Sequence, residues 1–405
     1  MIGYFEGLDA KTRNVLYEIY KRGPVTKKEI LSIMNLKLTT LNRMMNALEE
    51  RKLVVPLGEA ESTGGRKAAV YDVAHHSFYL IGIDLSRTYV KVVLTNLKLS
   101  IIKTKQFPLD ERFSSSKTMD EVISVIKKMI EAEKVQKEQV LGIGIGTVGP
   151  LDREKGIMLN PEGFLNRDWE NVPLKATIES RLSIPCFIDN GANNAALAEY
   201  RFGIGKDNRS VAYIHCGIGI RSAVIKDGIV IRTMNDREDA FGHMTIQMRE
   251  NGESGNIESF SALGGLIRKM NAELKLSADE LNETNYRAVL GATLQKNEAV
   301  AKIIQNGAVI FGKGLSNFAR LLNPDIVILS GPLMMNLEGY YQACIDAFYE
   351  HYHSAGKIQF NKGGLFQEDT IAIGSAALVM ENYLSKKAAS YFCFQAETKA
   401  TNYNL

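Results

Sequence analysis

Ile184-Pro185-Cys186-Phe187-Ile188-Asp189-Asn190-Gly191-Ala192-Asn193-Asn194-Ala195-Ala196-Leu197-Ala198-Glu199-Tyr200-Arg201-Phe202-Gly203 is the stretch on which the reading of this chain turns. It opens with an apolar run over 184–188 that reads as a buried strand. A polar corner follows at Asp189-Asn190-Gly191. Ala195, Ala196, Leu197 and Ala198, strong helix formers, then continue until Gly203 stops the helix. Open α/β sheets bind ligands where a strand ends in polar side chains at the mouth of a helix. The stretch therefore predicts an α/β body with a ligand site at this corner.

Working outward, 78–83 is an apolar strand, followed by Asp84-Leu85-Ser86-Arg87-Thr88 and a second strand over 90–94. Leu141-Gly142-Ile143-Gly144-Ile145-Gly146-Thr147-Val148-Gly149-Pro150 is another strand and a tight loop. Its glycine spacing runs through a strand and lacks the βαβ context of a dinucleotide fingerprint. Beyond the central stretch, 211–225 contains Cys216-Gly217-Ile218-Gly219-Ile220-Arg221, and Ile326-Val327-Ile328-Leu329-Ser330-Gly331 is a further strand and turn. Between them lie Asp239-Ala240-Phe241-Gly242-His243-Met244 and Arg249-Glu250-Asn251-Gly252-Glu253-Ser254-Gly255-Asn256-Ile257-Glu258.

At 405 residues, 45% hydrophobic and 23% charged, the chain has the composition of a globular protein of two or three domains. No apolar run approaches the ~20 residues of a membrane helix, and the first residues lack the pattern of a signal peptide. Cys186, Cys216, Cys344 and Cys393 are widely spaced, which fits reduced thiols in a cytoplasmic protein. Residues 1–72 hold 12 Lys/Arg against 9 Asp/Glu, whereas the remaining 333 hold 37 of each sign. The excess positive charge is in the N-terminal fifth, the right sign for phosphate contacts.

That fifth reads as a winged helix-turn-helix. Residues 9–22 place Val15, Leu16 and Ile19 on one face, with Tyr20 beside them, and Gly23-Pro24 ends the helix. Thr26-Lys27-Lys28-Glu29 is a capping box opening a short second helix. A third helix over about 39–51 buries Leu41, Met44, Met45 and Leu48 and turns Thr39, Thr40, Asn42, Arg43 and Asn46 outward. Arg pairs with guanine, Asn with adenine and a Thr methyl with thymine, so this face suits the major groove. A wing follows: a strand over 53–55, a Gly/Ser turn over 58–65, and a returning strand over 68–73 preceded by the basic tip Gly64-Gly65-Arg66-Lys67. The expected DNA contacts are Thr26, Lys27, Lys28, Thr39, Thr40, Asn42, Arg43, Asn46, Arg66 and Lys67.

The stretch from Asp189 to Glu199 resembles the Asn-Asp-Ala-Asn-Ala-Ala-Ala-Leu-Gly-Glu signature of the ROK family (repressors, open reading frames, kinases). The resemblance covers roughly 8–385. It implies that Asn190 matches the signature Asn and that Gly191 stands where sugar kinases of the family carry their base; glycine offers no proton acceptor. Asp84-Leu85-Ser86-Arg87-Thr88 is similar to the family's first phosphate hairpin, with Ser86 and Arg87 replacing both glycines. The segment 216–221 is similar to its second phosphate loop, with Ile220 and Arg221 at later glycine positions, while 326–331 resembles an intact adenosine-side strand. The match of 239–244 to the sugar motif keeps His243 and puts Ala240 where a sugar-binding Glu is expected. The zinc motif over 249–258 has lost its cysteines to Arg249, Asn251 and Asn256, and His243 alone does not hold tetrahedral zinc, so no metal or other cofactor is expected. Glu258 matches a sugar-binding Glu. In the head, Gly65-Arg66-Lys67 resembles the wing motif of ROK repressors, and Lys37 replaces their usual Ser before the third helix.

The fold expected is α/β: a winged helix-turn-helix over 1–73, then a two-lobed actin-like (ribonuclease H-like) sugar-kinase fold with lobes over 74–200 and 201–385, and an unassigned tail over 386–405. The function expected is a cytoplasmic, catalytically inactive repressor of carbohydrate-related genes, binding operator DNA as a homodimer or homotetramer, with no membrane partner. A sugar or sugar derivative is the expected effector, held by Gly149, Asn190, His243 and Glu258. The rival is an ATP-dependent sugar kinase with an added DNA-binding head.

Overall fold

The computed structural model describes residues 2–59, 68–232, 240–247, 254–276, 297–353 and 356–384. The head begins with α1 (Ala10–Arg22), whose Asp9 cap accepts the Thr12 N–H at 2.7 Å. A two-residue strand β1 (Val25–Thr26) leads into α2 (Lys27–Met34), where both bonds of the Thr26/Glu29 capping box form. Next, α3 (Leu38–Glu50) buries Leu41, Met44, Met45 and Leu48. Lys37 precedes it without a side-chain cap bond, as the loss of the usual Ser implies. β2 (Val54–Glu59) and β3 (Ala69–Val73) complete an antiparallel sheet ordered β1-β3-β2. This is the expected winged helix. The tip residues Arg66 and Lys67 lie outside the described residues.

The body repeats one topology twice. In the first lobe come β4 (Tyr79–Leu85), β5 (Tyr89–Asn96), β6 (Ile101–Pro108), α4 (Ser115–Ala132), β7 (Val140–Thr147), the short β8 (Leu151–Asp152) and β9 (Ile157–Met158), α5 (Leu174–Leu182), β10 (Cys186–Asn190) and α6 (Gly191–Arg201). The second has β11 (Ser210–Cys216), β12 (Ile220–Lys226), β13 (Ile229–Ile231), β14 (Thr245–Gln247), β15 (Ser254–Asn256), α7 (Ile257–Ser261), α8 (Leu263–Leu274), α9 (Glu298–Leu322), β16 (Ile326–Ser330), α10 (Pro332–Asn336), α11 (Tyr340–His351), β17 (Gln359–Lys362) and α12 (Thr370–Leu384). The sheets run β10-β7-β4-β5-β6 and β17-β16-β11-β12-β13. In each, the first three strands are antiparallel and the last two pair in parallel beside the first. These are the two actin-like lobes expected from the sequence. Among the described residues no helix is long and apolar enough to cross a membrane.

The two closing helices cross over. α6 follows the last strand of the first sheet yet packs on β11 and β12 of the second; α12 follows the second sheet yet packs on β4, β7 and β10 of the first. Nearly every residue of α12 is buried, as suits a helix that is apolar all round. Its backbone lies directly on the strands. A Cβ at Gly82 would collide with the Ala372 carbonyl, and one at Gly144 with the Ser375 carbonyl, so the strand glycines are there to admit a helix.

Head and body share one hydrophobic core, in which Leu16, Ile19 and Leu48 join Leu197, Tyr213 and Tyr383. Phe5 stacks on Tyr383 at 4.5 Å and Tyr20 meets Phe202 edge-on at 5.1 Å. Buried Arg13 donates to the carbonyls of Phe5, Leu8 and Tyr383. Lys98 of the body pairs with Asp72 of the wing at 2.6 Å and donates to the Gly23 carbonyl.

Candidate effector cleft and DNA-reading face

The polar corner read from the sequence is tighter than expected. β10 runs through Asp189 and Asn190, and α6 begins at Gly191 with no intervening loop. Asn190 is the N-cap: its side chain accepts the Asn193 N–H at 2.7 Å, and it is 2% exposed. Asp189 is clamped by Arg232 through bonds of 2.7 and 3.0 Å, with Asn193 Nδ2 donating at 3.0 Å. Burial pushes the Asp189 carboxyl up, but the Arg232 bonds and charge and the Asn193 bond outweigh it, and the net shift is downward.

Gly191 faces an arginine. A Cβ built on it would lie 2.9 Å from Arg221 Nη1 and 3.3 Å from the Ile371 side chain. Arg221 is 5% exposed, so its guanidinium fills the space in front of the helix start. Behind it, burial pushes the Asp84 carboxyl up, opposed by Arg221 and by the Tyr89 hydroxyl, which donates to Asp84 at 2.7 Å. Burial also pushes the His215 ring well below its ordinary value, and Arg221 and Arg87 add to the shift. The positive charge at this corner is thus felt by its titratable neighbours.

Between the lobes is a cavity of about 500 Å³. Gly149, His243 and Glu258, three of the four residues expected to hold an effector, line it together. Asn190 lies outside its lining, spent on the α6 cap. His243 is exposed at the rim, and the Glu258 carboxylate accepts the Ile220 N–H at 2.6 Å. Arg87, from the β4–β5 hairpin, crosses the opening and donates to the Glu162 carbonyl at 2.7 Å. The first amides of α8 are also engaged: Leu263 and Gly264 donate to the carbonyls of Gly217 and Ile218. Of the three lost zinc-motif positions, Arg249 and Asn251 lie outside the described residues, and Asn256 caps α7 by accepting the Ser259 N–H. Glu199, also in the signature stretch, is fully buried and binds the backbone N–H groups of Ile204 and Phe366.

On the head, Thr39, Arg43 and Asn46 are exposed along α3, with Thr40 and Asn42 half-buried beside them. Lys27 Nζ donates to Asn42 Oδ1 at 2.9 Å and lies 5.1 Å from the Tyr71 ring centroid, tying α2 to α3 and the wing. Thr26 caps α2, and Lys28 is exposed. Sequence reasoning missed the Arg232 clamp and the burial of Arg221 against Gly191. For Arg221 a signal was present, a charged residue in an otherwise apolar strand.

The family model that matches this chain covers residues 80–382 and is described as the ROK family. The chain belongs to the ROK family. This ROK protein is 26% identical to the xylose repressor of Bacillus subtilis over 332 residues, 80% of this chain and 83% of that one. It is 21% identical to a glucokinase of Halalkalibacterium halodurans over 266 residues, 62% of this chain and 80% of that one. Among solved structures, a ROK family transcriptional regulator, a homologue of the Escherichia coli MLC protein, superposes with a TM-score of 0.75 at 17% identity. That match covers 93% of this chain and 96% of the other, so the shared fold takes in the head as well as the body.

Proposed function

We propose that this ROK protein is a transcriptional repressor: its winged helix reads an operator, and its interlobe cleft senses a sugar or sugar derivative. The observation that carries the reading is the core shared by the DNA-reading head and α6 and α12, the two helices whose first turns meet behind Arg221 of the cleft lining. α6 begins at Gly191 beside Arg221 of the cleft and ends at Arg201 beside Tyr17 of the head; α12 begins near the same corner, with Ile371 against Gly191, and places Tyr383 of its last turn against Phe5. A ligand that binds one lobe arrangement better than another shifts that equilibrium, and these helices carry the shift to the head. The similarity to a xylose repressor supports the same reading.

The body acts as a sensor rather than a kinase. A guanidinium, not a carboxylate, stands at the start of α6, and it cannot take a proton from a sugar hydroxyl. Gly149, His243 and Glu258 offer polar groups to the ligand from both lobes. The protein works in the cytoplasm as a homodimer or homotetramer, presenting two heads to a palindromic site.

A salt-titrated binding assay on operator and random DNA, repeated with a sugar panel, tests this. Selective DNA binding that one sugar weakens is the expected outcome. Sugar-dependent ATP turnover at ordinary kinase rates, ~1–100 per second, together with absence of DNA binding, would overturn it.

A further inference from the structure

The chain passes from the first lobe to the second through α6 and returns through the loop 363–369, between β17 and α12. The two ends of that loop are fastened to different lobes. Towards β17, the Phe366 N–H donates to the Glu199 carboxylate at 3.2 Å. Glu199 is on α6, which packs on the second sheet, and its other oxygen accepts the Ile204 N–H at 3.1 Å. A Cβ on Gly364 or on Gly203 would collide with this carboxylate, so the turns on both sides are shaped around it. Burial pushes the Glu199 carboxyl up, and the groups that oppose this are the backbone amides of Leu365, Phe366 and Ile204. Towards α12, Lys91 of β5 donates to the Glu368 carbonyl at 3.2 Å and pairs with Asp369 at 2.7 Å. Lys91 is 6% exposed and belongs to the first sheet.

One residue, Gln367, separates the two anchors. Its side chain is exposed, and its backbone is left-handed at φ +51°, a region that residues other than glycine seldom take. We propose that Gln367 is the pivot of the returning crossover, with Glu199 anchoring the loop to the second lobe and Lys91 anchoring it to the first. Hinges are a few loop residues that absorb a change in backbone angles while the elements on either side stay rigid. Opening and closing of the lobes therefore turns the backbone at 367 while both anchors stay made. α12 starts at Thr370 and carries Tyr383 to Phe5 of the head, so a turn at the pivot moves the seat of the head. That last consequence rests on the reading of the body as a sensor; the pivot itself does not.

The test uses the full chain with Cys393→Ser and spin labels at Lys128→Cys on α4 and Lys302→Cys on α9, exposed positions on the two lobes. Cys186, Cys216 and Cys344 are buried and stay unlabelled. Pulsed electron paramagnetic resonance reads the distribution of interlobe distances without DNA or ligand. Gln367→Gly keeps the left-handed backbone accessible and frees the other conformations, so the distribution broadens about twofold. Lys52→Gly, at an exposed left-handed position in the head (φ +57°), leaves it unchanged. Glu199→Gln speeds hydrogen exchange at the Leu365 and Phe366 amides about tenfold, as loss of one charge-assisted bond does, whereas Gln367→Gly leaves them slow. A wild-type distribution in Gln367→Gly, equal broadening in Lys52→Gly, or unchanged exchange at 365 and 366 in Glu199→Gln overturns the inference. If Glu199→Gln fails to fold, the two glycine variants decide it. Operator binding plays no part in these readings, so a failed pivot is distinguished from a failed repressor.

Discussion

Replacing Arg201 by Met removes the ion pair that joins α6 to α12 beside Tyr17 of the head. Its guanidinium donates to Glu381 at 3.0 and 3.4 Å and lies about 5 Å from the ring centroids of both Tyr17 and Tyr200. The side chains of Arg201 and Glu381 are only 11% and 15% exposed. Removing one partner of a fully buried pair costs about 3–5 kcal/mol, and residual solvent lowers that here to about 2. Loss of two cation–π contacts adds roughly 1 kcal/mol. The Tyr17 hydroxyl, 3.4 Å from Glu381, is too long a bond to compensate. The expected total is about 3 kcal/mol; the ion pair and the Tyr200 contact lie within the body, and only the Tyr17 contact, roughly 0.5–1 kcal/mol, bears on the docking of α1. Hydrogen exchange of the α1 amides over 16–20 reads the local opening at Tyr17 and should accelerate roughly two- to fivefold. A double-mutant cycle with Glu381→Gln should show coupling of at least about 1 kcal/mol. Operator affinity in Arg201→Met should also lose most of its response to ligand. Unchanged exchange, or strict additivity in the cycle, would refute the argument that this pair holds α6 and α12 together against α1.

Gly191→Asp restores a carboxylate at the start of α6 but not kinase chemistry: its Cβ meets Arg221 Nη1 at 2.9 Å, and the new carboxylate is captured by that guanidinium. Stability should fall by about 1–3 kcal/mol in urea unfolding with no gain in sugar phosphorylation; sugar phosphate formed at a kinase-like rate contradicts this. Arg43→Ala on the exposed face of α3 should weaken operator binding by about 1–3 kcal/mol and relax preference at one base position per half-site, read by binding to a set of single-base operator variants. Unaltered affinity and selectivity would remove α3 as the reader. Asp189 has a folded pKa below its unfolded value of about 3.9, so the stability it contributes is present above that value and lost as pH falls through the folded one. Asp84 shifts the opposite way, so only the difference between wild type and Asp189→Asn isolates the effect. Their stabilities should differ most near neutral pH and converge as the pH falls through the folded Asp189 value; a gap that stays constant with pH would count against it.

Local interactions made the head legible. The Thr26/Glu29 capping box spans three residues, and the apolar faces of α1 and α3 repeat every turn, so both could be read without knowing what they touch. The same holds for the apolar runs that became β4, β7, β10 and β16; Gly149, His243 and Glu258, which line one cavity, were singled out by the family resemblance of their motifs and not by local pattern. The corner was read as strand, turn and helix, yet β10 runs straight into α6, because Asn190 caps the helix with its own side chain.

The amino-acid order by itself determined the α/β class, the winged head and the absence of a side chain at Gly191, since each follows from neighbours within a few turns or strands. Only the tertiary structure decided what fills that gap and what the strand glycines admit. Arg221 is thirty positions from Gly191, and Ala372 and Ser375 lie more than two hundred from Gly82 and Gly144. Arg13 reaches Tyr383 across 370 positions. Such partners are chosen by how two lobes pack and exchange their closing helices, and packing of distant segments leaves no period in the chain.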